Sequence, residues 1–127
     1  MSPRTVKVRI PPDNGYVPLF RTTVAGIAAR EAFTLEEVDD LRMGVEEAAV
    51  LLLRRGGDDP ITLEVSVTEH HLEANLSTPT DSGPEPVDET SFSWMILSAL
   101  AHKVETHLED GKARIILTKT RSTGALQ

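Results

Sequence analysis

The stretch SFSWMILSALAHKVETH, Ser91 to His107, puts an indole, a phenylalanine, a methionine and several aliphatic side chains into one run of an otherwise acidic chain. Read at helical period it is a third helix, opened by Thr90 or Ser91 as cap and ended by Asp110-Gly111. A helix that is apolar on more than one side needs a core on both flanks or another chain to cover it. Apolar stripes at this spacing are usually core, so Phe92, Trp94, Met95, Ile96 and Leu97 are expected to pack inward.

Upstream, the segment Thr78 to Asp88 holds Pro79, Pro84 and Pro86, a glycine and several acids, and reads as a mobile loop. Before it, Ile61 to Val67 and Leu72 to Ser77 are strands joined across Thr68 to His71 into an antiparallel hairpin. Earlier still, Thr34-Leu35-Glu36-Glu37 forms a capping box. The helix it opens has the stripe Leu35, Val38, Leu41, Val45, Ala48, Ala49 and Leu52, and Gly56-Gly57 stops it. The first helix runs from Tyr16 to near Arg30, with Leu19, Phe20, Val24, Ile27 and Ala28 at helical spacing and Pro18 in its first turn. Val6, Val8 and Ile10 alternate with Lys7 and Arg9 as a first strand, and Arg114 to Thr118 alternates as the last. The order is strand, two helices, two strands, helix, strand. Helices laid on one face of a mostly antiparallel sheet give a two-layer α/β sandwich.

A chain of 127 residues has the size of one domain, here 1–127, with flexible ends at about 1–5 and 122–127. Twenty acidic residues against 13 basic ones give a net charge of −7, which opposes both the phosphate backbone of nucleic acid and an anionic membrane surface. No partner of either kind is expected. Without cysteine there is no disulfide, thiolate nucleophile or cysteine-ligated metal. No apolar run reaches the roughly 18 residues of a spanning helix, and the N-terminus lacks the apolar centre of a secretory signal, which places the protein in the cytoplasm. His70 and His71 are adjacent on or beside a strand and point to opposite faces, while His102 and His107, read on the third helix, diverge by about 140°. Neither pair suits zinc, so no metal is expected. No GxSxG or P-loop pattern occurs.

Chemistry concentrates in LRMGVEEAAVLLL, Leu41 to Leu53, where Glu46 and Glu47 interrupt an apolar run. Glu47 shares a helix face with Gly44 and Leu51. Both carboxylates are otherwise ordinary surface groups, solvated or paired with Arg54 and Arg55.

The order of elements, the segment Leu41-Arg42-Met43-Gly44-Val45-Glu46-Glu47-Ala48 and the run Ser91-Phe92-Ser93-Trp94-Met95-Ile96-Leu97-Ser98-Ala99-Leu100 resemble the anti-sigma factors of the GHKL (Bergerat-fold) ATPase superfamily. The likeness extends from about Val6 to Arg121 and is closest to the actinobacterial UsfX-type branch. It implies a Bergerat sandwich with a mostly antiparallel, mixed sheet. It also implies a protein, usually a homodimer, that sequesters an alternative (stress or developmental) sigma factor until a STAS-type anti-anti-sigma factor displaces it. Kinase members of the family use bound ATP and magnesium to phosphorylate a serine of the STAS partner.

Residue by residue, the resemblance makes Glu47 the general base of those kinases. The asparagine that holds magnesium one helical turn later is replaced by Leu51, whose side chain has no oxygen for a hard cation. The adenine-reading Asp-x-Gly-x-Gly is represented only by Asp81-Ser82-Gly83-Pro84-Glu85, with Glu85 where a glycine belongs. The glycine-rich lid is replaced by Glu89 to Trp94, which contains no glycine. A degenerate nucleotide site follows, with ATP and magnesium bound weakly or not at all and the vacated region filled by the third helix. The alternative is an active ATP-dependent serine kinase that uses Glu47. Arg21 falls where the family has an arginine that contacts both the sigma factor and the STAS partner. Asn14 and Tyr16, with Asp13, belong to the same surface.

Overall fold

The computed structural model describes residues 4–80, 83 and 86–122. Strand β1 (Arg4–Ile10) leads through a 3-10 turn at Asn14–Tyr16 into helix α1 (Val17–Arg30), and helix α2 (Leu35–Leu53) follows. Strands β2 (Ile61–Val67) and β3 (His71–Pro79) form the expected hairpin, helix α3 spans Phe92–Leu100, and strands β4 (Lys103–Glu109) and β5 (Lys112–Thr120) end the fold. The five strands lie in the order β1-β2-β3-β5-β4 with every neighbouring pair antiparallel, so the sheet is not mixed.

The third helix is shorter than its apolar run. It stops at Leu100, where the Ala101 amide closes on Leu97 O at 3.0 Å, and the next amide, of His102, already donates to Thr118 O across the sheet at 2.9 Å. From Lys103 the chain is a strand, because Val104, Thr106 and Leu108 repeat at period two on the helix-facing side and pair with β5. Asp110-Gly111 is therefore not a helix stop. Both residues have positive φ (54° and 72°) and form the two-residue loop that joins β4 to β5, as a type I′ turn requires. His102 and His107 accordingly share no helix: His102 Nδ1 accepts the Thr120 amide at 3.0 Å, and His107, on β4, stands opposite Arg114 of β5.

Alternation on the strands sets the layers. Ile61, Leu63, Val65 and Val67 of β2, Leu72, Ala74 and Leu76 of β3, and Ala113, Ile115 and Leu117 of β5 are all buried in one core with the helices. Their neighbours along each strand point to the other face, which no described element covers and which is polar. Helix α2 is the centre of the helical layer, with Leu41, Val45, Ala48, Ala49 and Leu52 against the sheet, and α1 adds Phe20, Val24 and Ala28. Gly44 permits the close approach, since a Cβ there would come within 3.1 Å of Leu117 Cδ1.

The capping box is present as read. Thr34 Oγ1 accepts the Glu37 amide at 3.1 Å and Glu37 Oε1 accepts the Thr34 amide at 2.7 Å. Its second oxygen accepts the Ser122 amide at 3.2 Å, so one buried carboxylate ties the start of α2 to the end of β5. Burial alone raises the Glu37 pKa, but the hydrogen bonds from Thr34 and Ser122 outweigh it and hold the group below the ordinary glutamate value. At the core margin the buried Lys119 reaches Asp40 Oδ2 and Leu100 O, both at 2.9 Å, and so links β5, α2 and the last turn of α3.

Thr78 and Pro79 extend β3 rather than opening the loop, and Pro86 and Val87 beyond it are buried. Residues 81, 82, 84, 85 and 123–127, on which the rest of the loop and most of the tail assignment fall, lie outside the described residues.

Candidate functional site

Helices α1 and α2 turn their polar flanks outward side by side. Arg21 Nη1 donates to Glu46 Oε1 at 3.1 Å, with 37% and 47% of the two side chains exposed. Such a pair contributes only a few tenths of a kcal/mol, so either partner is free to exchange it for a better one. Glu47, one residue on, is half-buried and accepts the Ser93 hydroxyl at 3.0 Å, which fastens the first turn of α3 to the middle of α2. Neither acid pairs with Arg54 or Arg55.

Between α2 and α3 runs an apolar groove of about 430 Å³ lined by Met43, Val50, Ile96 and Leu100, with Glu46 and Glu47 beside it. A smaller recess of about 250 Å³ contains Arg21, Asp39 and Arg42 and shares Met43 and Glu46 with the groove. The expected inward packing of α3 is not what the structure shows. Leu97 alone of that helix is fully buried, while Phe92 and Met95 are 73% and 63% exposed. Helix α3 has nine residues and packs on α2 and the edge strand β4, so one of its flanks stays outside the core. Tyr16, Leu19 and Met43 add further exposed apolar surface on α1 and α2 and at the turn before α1. Asn14 is exposed in that turn, where Asp13 Oδ1 accepts the Gly15 amide at 2.8 Å.

Of the residues matched to a nucleotide site, Glu47, Leu51 and Gly83 are among the described residues. Glu47 belongs to the α2–α3 groove, and Leu51 packs its half-buried side chain against the core. Gly83 lies by Arg55: a Cβ on it would meet Nη2 at 2.9 Å, and the same nitrogen is 3.4 Å from Thr80 Oγ1. Asp81 lies outside the described residues. Where the resemblance puts a glycine-rich lid there is a closed turn. Asp88 Oδ1 accepts the Thr90 amide and hydroxyl, each at 2.8 Å, which lowers the Asp88 pKa, the amide contributing most. Ser91 Oγ accepts the Trp94 amide at 3.1 Å and so spends its oxygen on capping α3. Among the described residues no three His, Asp or Glu side chains are grouped to hold a metal, and no helix is long and apolar enough to cross a membrane.

Glu46, Ser93 and Arg55 are the neighbours of Arg21, Glu47 and Gly83 respectively. Those contacts join residues 25 or more positions apart, and no local pattern announces them.

No family model matches the chain. Over 81 residues it is 31% identical to serine-protein kinase RsbW of Bacillus velezensis, a match covering 61% of this chain and 51% of that protein. Over 76 residues it is 34% identical to the protein of the same name from Listeria monocytogenes, covering 57% and 48%. These matches span about half the length of the relatives. A longer alignment of 138 residues, to the RsbW of Halalkalibacterium halodurans, covers 94% of this chain and 83% of that protein at 23% identity. Among solved structures, the RsbU and RsbW domains of a Mycobacterium tuberculosis protein superpose with a TM-score of 0.73 at 11% identity, covering 94% of this chain and 33% of that one. The chain has the fold of an RsbW domain. Its antiparallel sheet with helices on one face is the α/β sandwich that the order of elements implied.

Proposed function

We propose that the protein is an anti-sigma factor that works by binding polypeptides. It holds an alternative sigma factor, of the stress or developmental kind, until a STAS-type anti-anti-sigma factor displaces it. Similarity to proteins named RsbW supports the class, and the SFSW-initiated run of α3 supports placement in the UsfX-type branch. The observation that carries the reading is the character of the ground around Glu47. It is an apolar groove with exposed Met43, Met95 and Phe92 nearby and a weak, exchangeable Arg21–Glu46 pair alongside. Such a surface suits a partner's side chains, and two proteins that compete for one arginine cannot both stay bound. Asn14 and Tyr16, exposed in the turn before α1, are assigned to partner contact as well. The protein acts in the cytoplasm as a homodimer.

ATP and magnesium do not fit the residues present. Magnesium requires oxygen ligands, and one turn beyond Glu47 stands Leu51. Arg55 fills the space beside Gly83, and the turn before α3 offers no glycine to let backbone amides close on phosphates. No phosphoryl transfer is therefore assigned. Retention of Glu47 favours one competing reading, an active serine kinase with that carboxylate as base.

The test combines calorimetry with a pull-down, using the full chain. ATP with magnesium gives no saturable heat up to millimolar concentration, and a cognate sigma factor binds with an affinity that Arg21→Ala lowers at least about tenfold. Micromolar ATP binding together with phosphorylation of a STAS protein, abolished by Glu47→Gln, would replace this reading with the kinase.

A further inference from the structure

One end of the uncovered face of the sheet carries a charge opposite to that of the chain, while Glu73, Glu105 and Glu109 stand elsewhere on the same face, Glu109 opposite Lys112. Across the row Arg9, Thr62, Ser77, Arg114, successive strands place two guanidinium groups on either side of two hydroxyls. Three strand spacings separate the arginines, about 14 Å. Lys7 stands two residues from Arg9 on the same face, and Lys112 two residues from Arg114, around a concavity of about 530 Å³ floored by Thr62, Glu64, Asn75 and Ser77. Among the described residues none of these four cations has an ion pair or side-chain hydrogen bond. Arg114 Nε is shut off from water and meets no acceptor. A net charge of −7 makes four unpaired cations around a single carboxylate a local reversal of sign.

We propose that this face binds an extended acidic segment of a partner protein. The rim supplies cations at a separation that four or five residues of extended peptide span, at about 3.4 Å each, so carboxylates at its two ends reach both arginines. The floor supplies both kinds of hydrogen-bonding group. Glu64 accepts, and the hydroxyls and the Asn75 amide do both, which suits a peptide backbone that also donates. A polyphosphate has only acceptors and would meet the Glu64 carboxylate unfavourably. A second copy placed face to face across a twofold axis would oppose eight cations with only two carboxylates from the concavities. The face lies on the far side of the sheet from Arg21 and Glu47, so its occupant does not compete with a partner on the helices.

Fluorescence anisotropy with the full chain tests this. The probe is a short fluorescein-labelled peptide of alternating glutamate and serine, with its glutamine counterpart as control. Saturable binding of the glutamate peptide only, weakened at least about tenfold by the double variant Arg9→Gln, Arg114→Gln and unchanged by Arg21→Gln, is the expected result. An unchanged thermal midpoint for the double variant shows that folding is not the cause. The proposal falls if no saturable binding occurs, if the double variant binds like the parent, or if inorganic polyphosphate displaces the peptide at equal charge concentration. It also falls if sedimentation shows self-association that the double variant abolishes, which would assign the face to a second copy.

Discussion

Replacing Glu37 by alanine tests the best-defined long-range tie in the molecule. The side chain, 8% exposed as a residue, accepts the Thr34 amide at 2.7 Å and the Ser122 amide at 3.2 Å. Alanine removes both acceptors. Losing half of a capping box costs about 1 kcal/mol, and leaving the Ser122 amide without its charged acceptor costs about 1 to 1.5 kcal/mol more. The expected loss is about 2 to 2.5 kcal/mol at pH 7, or roughly 8 °C in thermal midpoint for a chain of this size. Urea unfolding followed by far-ultraviolet circular dichroism, with parent and variant side by side, measures it. The pH dependence fixes the cause. The folded state holds the Glu37 pKa below its ordinary value, so the stabilisation is full above about pH 4.5 and is lost as pH falls through the lower, folded value. Parent and Glu37→Ala should therefore converge on acidification. A deficit as large at pH 3 as at pH 7 would refute the claim that a charged acceptor makes the tie, and a deficit under about 0.5 kcal/mol at pH 7 would refute the tie itself.

Two further outcomes follow from burial on α3 and at the core margin. Phe92→Ser and Met95→Gln each change unfolding free energy by no more than about 0.5 kcal/mol, because both side chains are mostly in water, whereas Leu97→Ala on the same helix loses about 2 to 4 kcal/mol in the same urea assay. Lys119→Met, which keeps the stem but strips the ammonium from Asp40 and the Leu100 carbonyl, costs about 1 to 3 kcal/mol by thermal unfolding, and Asp40→Asn in that background recovers part of the loss.

Most of the fold was legible because its signals are local. The capping box at Thr34 and Glu37, the end of α2 at Leu53 shortly before Gly56-Gly57 and the alternation in β2 and β5 each lie within a few residues of the signal that marks them. The end of α3 at Leu100 carries no local mark in the sequence. Leu97 to Leu108 fits a helical period loosely and a strand period from Val104 onward, and neither proline nor glycine marks the change near Ala101. The decisive cue lay downstream. Asp-Gly after an alternating segment is a hairpin signal, and the two positive φ angles at Asp110 and Gly111 are its execution. The missing fifth strand, β4, pairs with β5 immediately across that turn.

The site was less legible because its geometry depends on which side chains meet across elements. Glu47 was identifiable by helical phase, but its hydrogen bond from Ser93 arises only once α3 is placed against α2. The apolar run of α3 looked like filling for a cavity. With β4 taking the residues after Leu100, the helix is left nine residues long at the side of the sheet, burying Leu97 and turning Phe92 and Met95 outward. The shortened helix thus turns what sequence reading took as core into surface beside Glu47. The same side chains that would have plugged a nucleotide pocket become available to another polypeptide. In the proposed function, the weak Arg21–Glu46 pair next to them is the charge that a competing partner takes over, since breaking it costs little fold stability.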